Sequence, residues 1–226
     1  MIIPGNLKTR RLTAFFTDRT GGVDRGLLSR ASGFSEDAVY MPIQRHTDRV
    51  VVIQGPGRPE VADAVVTSAA GVLIGVKVAD CVPILVYERR NGVVAAVHAG
   101  WRGTARGILG KTLEAMADGF SSRVDDIVIA FGPAIRGCCY EVGEETASEV
   151  RAATGEGGYI QRREGRVYLD LVLANMTQAL STGVPESNLW ASGECTYCLP
   201  GRFFSYRYSK TLERQGGFIG LRTGPL

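Results

Sequence analysis

Two histidines are present in the 226 residues, and the placement of each invites a chemical reading. His46 ends Gln44-Arg45-His46, just before the β-branched run Val50 to Ile53, and His98 directly follows the run Val93 to Val97. Strand ends are where a rigid scaffold presents side chains to a cleft. Cys81 joins them because Val82 to Tyr87 reads as a strand that turns through Glu88-Arg89-Arg90-Asn91-Gly92 into Val93 to Val97, an antiparallel hairpin. A turn centred on Arg89-Arg90 sets Cys81 opposite His98. A loop of Arg89 to Gly92 sets His98 opposite Pro83, still diagonal to Cys81 and within reach across the strands. A thiol and imidazoles so placed admit three readings. They could hold Zn²⁺ through two imidazoles and a thiolate with a fourth position free. They could form a cysteine nucleophile with a histidine base, or a buried thiol could simply lie beside a hydrogen-bonded imidazole. Spacing along the chain does not choose among them.

The next segment, Ala99-Gly100-Trp101-Arg102-Gly103-Thr104, uses two glycines to turn from strand to helix. Its free N–H groups, together with Arg102, could hold a phosphate or another anion, or the segment could be an ordinary turn with Trp101 filling the core. Two other patterns are set aside. Ala105 to Thr112 resembles a relaxed phosphate-binding loop, but alanine replaces its first glycine and the match falls inside an amphipathic helix. Cys195-Thr196-Tyr197-Cys198 with Cys138-Cys139 offers four thiolates, but adjacent Cys138 and Cys139 are not expected to turn toward one ion. These four are read as core thiols or a substrate wall.

The elements that must position these groups are strands at Leu12 to Thr17, Val50 to Ile53, Val72 to Val78, Val82 to Tyr87, Val93 to Val97, Ile127 to Phe131, Val167 to Leu169 and Phe203 to Tyr206. Helices are predicted over Thr104 to Ala117, burying Ile108, Leu109, Thr112, Leu113 and Met116, and over Glu144 to Ala153. A third starts at an Asp170 N-cap, turns Leu171, Leu173, Ala174 and Leu180 inward, and stops at Gly183. The mixture predicts an α+β chain, its elements layered on largely mixed sheets in a single domain, residues 1–226.

Hydrophobic residues make up 45% of the chain, enough for a substantial core. A net charge of +3, from 26 basic residues scattered among 23 acids, gives no basic stripe for nucleic acid but leaves a small anionic substrate open. Met1 to Lys8 lacks the form of a signal peptide and no run is long enough to span a bilayer. With five cysteines in a chain too large to need disulfide staples, this predicts a cytoplasmic protein that binds neither nucleic acid nor membrane.

Ala79-Asp80-Cys81-Val82-Pro83 followed by His98-Ala99-Gly100-Trp101-Arg102-Gly103 resembles the signature of the bacterial laccase-domain family, variously named multicopper polyphenol oxidases, peptidoglycan editing factors and purine nucleoside phosphorylases. Phe16 to Gly22, Gln44-Arg45-His46, Ala62 to Thr67, Gly132-Pro133, Cys139 to Gly143, Cys195-Thr196 and Phe203 to Arg207 extend the resemblance nearly end to end. It implies an αββα-type layered sandwich and selects the metal reading, with His46, Cys81 and His98 holding one Zn²⁺ per chain. It also implies phosphorolysis of adenosine, guanosine, inosine or methylthioadenosine, and adenosine deamination at the same site. Purine nucleosides and phosphate are the expected partners of a monomer or small homo-oligomer.

On this reading Asp80 accepts and returns a proton, or else caps a turn. Arg102 or Arg19 holds phosphate during catalysis, and Gln44 joins Arg19 at the substrate. The alternatives are a cysteine amidase acting on peptidoglycan precursors and a zinc-stabilised binding protein. A multicopper cycle needs many imidazoles and this chain has two, so adventitious Cu²⁺ would support at most weak phenol oxidation. One departure stands out. Between Gly22 and His46 the chain runs quickly from Gly26 to Met41, and the family's helix there is expected to be missing.

Overall fold

The computed structural model describes residues 1–224. In chain order the strands are β1 (Leu12–Phe16), β2 (Val39–Tyr40), β3 (Val50–Val52), β4 (Ala64–Thr67), β5 (Leu73–Val78), β6 (Val82–Glu88) and β7 (Val93–Ala99). They continue as β8 (Ile127–Phe131), β9 (Glu141–Val142), β10 (Ile160–Arg163), β11 (Arg166–Leu169), β12 (Leu189–Ala191) and β13 (Gln215–Leu221). The helices are α1 (Arg25–Ser32), α2 (Trp101–Ala105), α3 (Ile108–Phe120), α4 (Glu144–Thr154), α5 (Leu171–Ser181) and α6 (Tyr206–Ser209).

A six-stranded sheet, ordered β12-β8-β6-β7-β4-β3, packs against a four-stranded one, β1-β13-β5-β2, while β10-β11-β9 forms a small third sheet. Strand β6 shows why the larger two must stack. Val82, Ile84 and Val86 face Ile108, Leu109 and Met116 of α3, while Leu85 and Tyr87 face Phe16, Ile74 and Ile219 of the other sheet. A strand covered on both faces is apolar throughout instead of alternating. The outer face of the four-stranded sheet carries Phe15, Leu73 and Phe218 under Leu28 of α1. Helix, sheet, sheet and helices give the four-layered α+β arrangement that the resemblance implies.

The β6–β7 hairpin settles its register in favour of the longer loop. Pro83 faces His98, because the Glu88 carboxylate accepts from the N–H groups of Arg90 (3.0 Å) and Asn91 (2.8 Å) and so organises Arg89 to Gly92 as the turn. The expected helix Thr104 to Ala117 is two helices. Gly107 takes φ +69°, a left-handed conformation that ends the α2 turn, and α3 buries the five residues expected of it. Asp170 caps α5 by accepting from Leu173 N–H at 3.1 Å, yet Leu173 and Leu180 face outward, 36% and 42% exposed. They share a stripe one heptad apart, and Leu171, Ala174, Asn175 and Gln178 form the buried one.

Phe203 to Tyr206 is not a strand. Gln215 satisfies both backbone groups of Phe204 with its side-chain amide, in place of a ladder, and Ser205 then caps α6. The stretch expected to lack a helix holds α1, capped by Asp24 on Leu27 N–H and ended by Gly33 at φ +81°. Six strands among the described residues lie outside the expected runs. β2, β4, β9, β10 and β12 are only two to four residues long, and β13 carries Gly216, Gly217 and Gly220, where its neighbours crowd it.

Candidate metal centre

Three separate strand connections deliver His46, Cys81 and His98 to one point. Their potential ligand atoms all lie within 4.8 Å of one another, with Cys81 Sγ 3.9 Å from His46 Nε2 and the imidazole centroids 4.9 Å apart at 73°. His98 is the next-to-last residue of β7 and is buried, Cys81 precedes β6 and is half-buried, and His46 is exposed.

Asp63, fully buried beside β4, is the group that builds this arrangement. Its carboxylate accepts from three successive backbone N–H groups, Arg45 (3.2 Å), His46 (3.0 Å) and Thr47 (2.7 Å), and from the Thr47 hydroxyl (2.7 Å). That cradle holds His46 at φ +57°, a left-handed conformation that a histidine would not choose unaided. The same carboxylate meets His98 Nδ1 at 2.7 Å, which leaves Nε2 facing the thiol. Burial opposes ionisation of Asp63, but hydrogen bonds from His98 and Thr47 outweigh it and keep the carboxyl well below the usual carboxylate range. One carboxylate thus orients both imidazoles, as an outer carboxylate does behind metal-bound histidine. Asp63 lies within the matched segment Ala62 to Thr67, where the sequence assigns it no role. An acid flanked by Ala62 and Ala64 at the start of an apolar run was the available signal.

Burial opposes charge on Cys81, but His98 beside it and a hydrogen bond with His46 draw the thiol down to about 6. Burial likewise opposes charge on His98, and the Cys81 thiolate and Asp63 raise the imidazole to about 9. The pocket therefore favours thiolate, the form a metal requires. Gly100 leaves room for it, since a Cβ there would stand 3.0 Å from Cys81 Sγ and 3.2 Å from His46 Cδ2. Two imidazole nitrogens and a thiolate, with an outer carboxylate, fit a divalent transition metal that keeps a coordination position open.

The three groups lie in the wall of a cavity of about 1230 Å³. Arg25, Arg45, Lys77, Arg207, Lys210 and Arg214 line it, against one lining carboxylate, Asp80. None of these six cations forms an ion pair among the described residues. Trp101, Tyr140 and Tyr206 add aromatic surface. Burial and the nearby Cys81 thiolate push Tyr140 up to about 12, so its hydroxyl stays protonated.

Asp80 and Gln44 also line the cavity, but both are engaged. Asp80, at φ +90°, accepts from the Thr196 hydroxyl and from Arg207 N–H, each at 2.7 Å, and thereby ties the Cys195 segment and α6 to the start of β6. Gln44 donates to Lys77 O and accepts from Lys77 N–H, both at 2.8 Å, pinning the His46 loop to β5. Arg102 stacks on Trp101 and Arg19 on Phe204, and neither is a lining residue. The four remaining cysteines converge on a second point, all four sulfur atoms within 4.8 Å of one another. Cys138 and Cys198 are exposed, so the core-thiol reading does not describe them.

Residues 18–222 match the family model described as "Multi-copper polyphenol oxidoreductase laccase", and the chain belongs to that family. It is 42% identical over 184 residues to a Deinococcus radiodurans protein named purine nucleoside phosphorylase, covering 81% of this chain and 70% of that one. A protein of an unknown prokaryotic organism, named adenosine deaminase RL5, is 37% identical over 193 residues, covering 80% and 73%. The crystal structure of YlmD from Geobacillus stearothermophilus superposes with a TM-score of 0.88 at 29% identity, over 97% of this chain and 94% of that one.

Proposed function

We propose that the chain is a zinc-dependent purine nucleoside phosphorylase that also deaminates adenosine, acting on adenosine, guanosine, inosine and methylthioadenosine at the cavity beside His46, Cys81 and His98. The observation that carries this reading is the convergence of a three-donor centre with unpaired cations in one cavity. The names of the relatives supply the substrate class. Bound zinc would supply Lewis-acid polarisation of a substrate oxygen or nitrogen and acidify a water.

The chain's own residues do the rest. Phosphorolysis requires an anion to approach the anomeric carbon as the C–N bond breaks, and the six lining cations raise the local phosphate concentration and balance its charge. The lining thus supports the cavity cations as the phosphate holders over Arg19 or Arg102. Trp101, Tyr140 and Tyr206 offer ring faces to a purine, and the protonated Tyr140 hydroxyl offers a donor. Asp80 acts by position. Two donors at 2.7 Å occupy its oxygens, one on each, so its main work is to hold the cavity wall.

Chelation tests the reading. Adenosine with phosphate should give adenine and ribose 1-phosphate, adenosine alone should give inosine, and both should cease when metal is removed and return with zinc. The thiolate–imidazolium pair of Cys81 and His98 also suits a cysteine amidase. Turnover that survives complete metal removal but stops on alkylation of Cys81 would favour that second reading. Metal analysis of the purified chain distinguishes zinc from copper.

A further inference from the structure

Cys138, Cys139, Cys195 and Cys198 belong to two loops far apart in sequence, and the fold closes them on each other. Ala134 bridges Cys195 in parallel, Thr196 N–H donates to Ala134 O (3.1 Å) and Arg136 N–H points to Cys195 Sγ (3.4 Å). On the other loop, Cys139 N–H and Tyr140 N–H both donate to Arg136 O at 2.9 Å. That tight turn brings Cys138 and Cys139 to the same side of the chain, against the sequence expectation.

Cys138 Sγ lies 3.7 Å and Cys139 Sγ 3.2 Å from Cys198 Sγ, and all five cysteines of the chain are free thiols. Four sulfurs around a zinc ion at about 2.3 Å stand about 3.8 Å apart along the edges of a tetrahedron. The separation of 3.7 Å sits at that value and the one of 3.2 Å somewhat inside it, and all four sulfurs lie within 4.8 Å of one another. A C-x-x-C pair, an N–H donor to the innermost sulfur and a second pair across the loop are the parts of a closed thiolate site. Arg163, donating to Gly137 O at 2.6 Å, sets positive charge over the turn and would offset the excess negative charge of four thiolates.

We propose that these four cysteines bind a second zinc ion in a closed, structural site. It would not take substrate, since the four thiolates leave no position free. Its place in the fold gives it a purpose. One loop leads directly into Tyr140 of the cavity, and the other carries Thr196, the partner of Asp80. Zinc joining them would hold two walls of the cavity at a fixed spacing.

This inference does not depend on the identity or presence of metal at His46, Cys81 and His98. The decisive chain is therefore the triple variant His46→Ala, Cys81→Ser, His98→Ala, which keeps all four cysteines of the second site. After reduction and exhaustive buffer exchange, mass-spectrometric metal analysis should find one equivalent of zinc. Cobalt replacing it should show the intense thiolate-to-metal charge-transfer absorption of a tetrathiolate centre. The converse variant, Cys195→Ser with Cys198→Ser, should lose that absorption. Failure of the triple variant to hold metal, iron in place of zinc, or a disulfide mass deficit in the wild-type chain purified without reductant would overturn the proposal.

Discussion

At the scale of single residues, the centre depends as much on groups behind the donors as on the donors. Asp63 binds three N–H groups, a hydroxyl and an imidazole with one carboxylate, a group that offers about four lone-pair sites and no donor when ionised. Asp63→Asn puts N–H donors where N–H donors already point. Loss of the outer carboxylate should weaken metal binding by roughly 10–100-fold, read by competition with a chromophoric chelator. An unchanged affinity would contradict the role assigned to Asp63. Gly100 makes a second residue-scale prediction. Its φ of −77° and ψ of 174° suit alanine, so Gly100→Ala should fold, with thermal stability close to that of the parent. The added methyl meets Cys81 Sγ at 3.0 Å. The chain should therefore come out of purification depleted in metal and low in activity, with its circular dichroism intact.

At the scale of elements, β6 and β7 set the geometry. Their register places His98 diagonal to Cys81, and that register rests on Glu88 organising the loop and on side chains buried on both faces of the pair. Leu85 lies fully buried between the two sheets, away from the metal centre. Leu85→Ala should cost about 2–5 kcal/mol of unfolding free energy, measured by urea denaturation. The metal content of the surviving folded fraction should stay unchanged. A loss of metal without a loss of stability would show that the hairpin, not the sheet packing, was disturbed. Helices α1 and α6 bring Arg25 and Arg207 into the cavity lining, and both carry side-chain caps, Asp24 for one and Ser205 with Asp80 for the other.

At the scale of the whole molecule, a net charge of only +3 conceals a concentrated field. Six cations share one cavity with a single lining carboxylate, and none of the six forms an ion pair among the described residues. Under the proposed function, the KM for phosphate should rise several-fold as ionic strength increases from about 0.01 M to about 0.5 M, because the Debye length falls from about 30 Å to a few ångströms. The KM for uncharged adenosine should hardly move. Equal response of both constants would remove the cavity cations from the phosphate role. No helix among the described residues is long and apolar enough to cross a membrane.

Much of this was readable along the chain. Continuous apolar runs with turn residues between them marked β6, β7 and β8, the buried stripe of α3 followed its period, and Asp170 marked the start of α5. These depend on local patterning, and local chemistry is what a sequence displays. The hairpin alone was enough to bring Cys81 near His98. Other features had no local cause. His46 reaches the same point through a left-handed bend held by an acid seventeen residues further on, just before β4, and β13 forms because Gly75 and its own glycines let Phe218 lie close to the neighbouring backbone. Cys138 and Cys139 turn together because a loop from the far end of the chain pairs with theirs. Residue types and spacing thus determined which atoms could serve as donors. Which donors meet was decided by contacts between segments remote in sequence, since a side chain's direction depends on the backbone that the rest of the fold imposes on it.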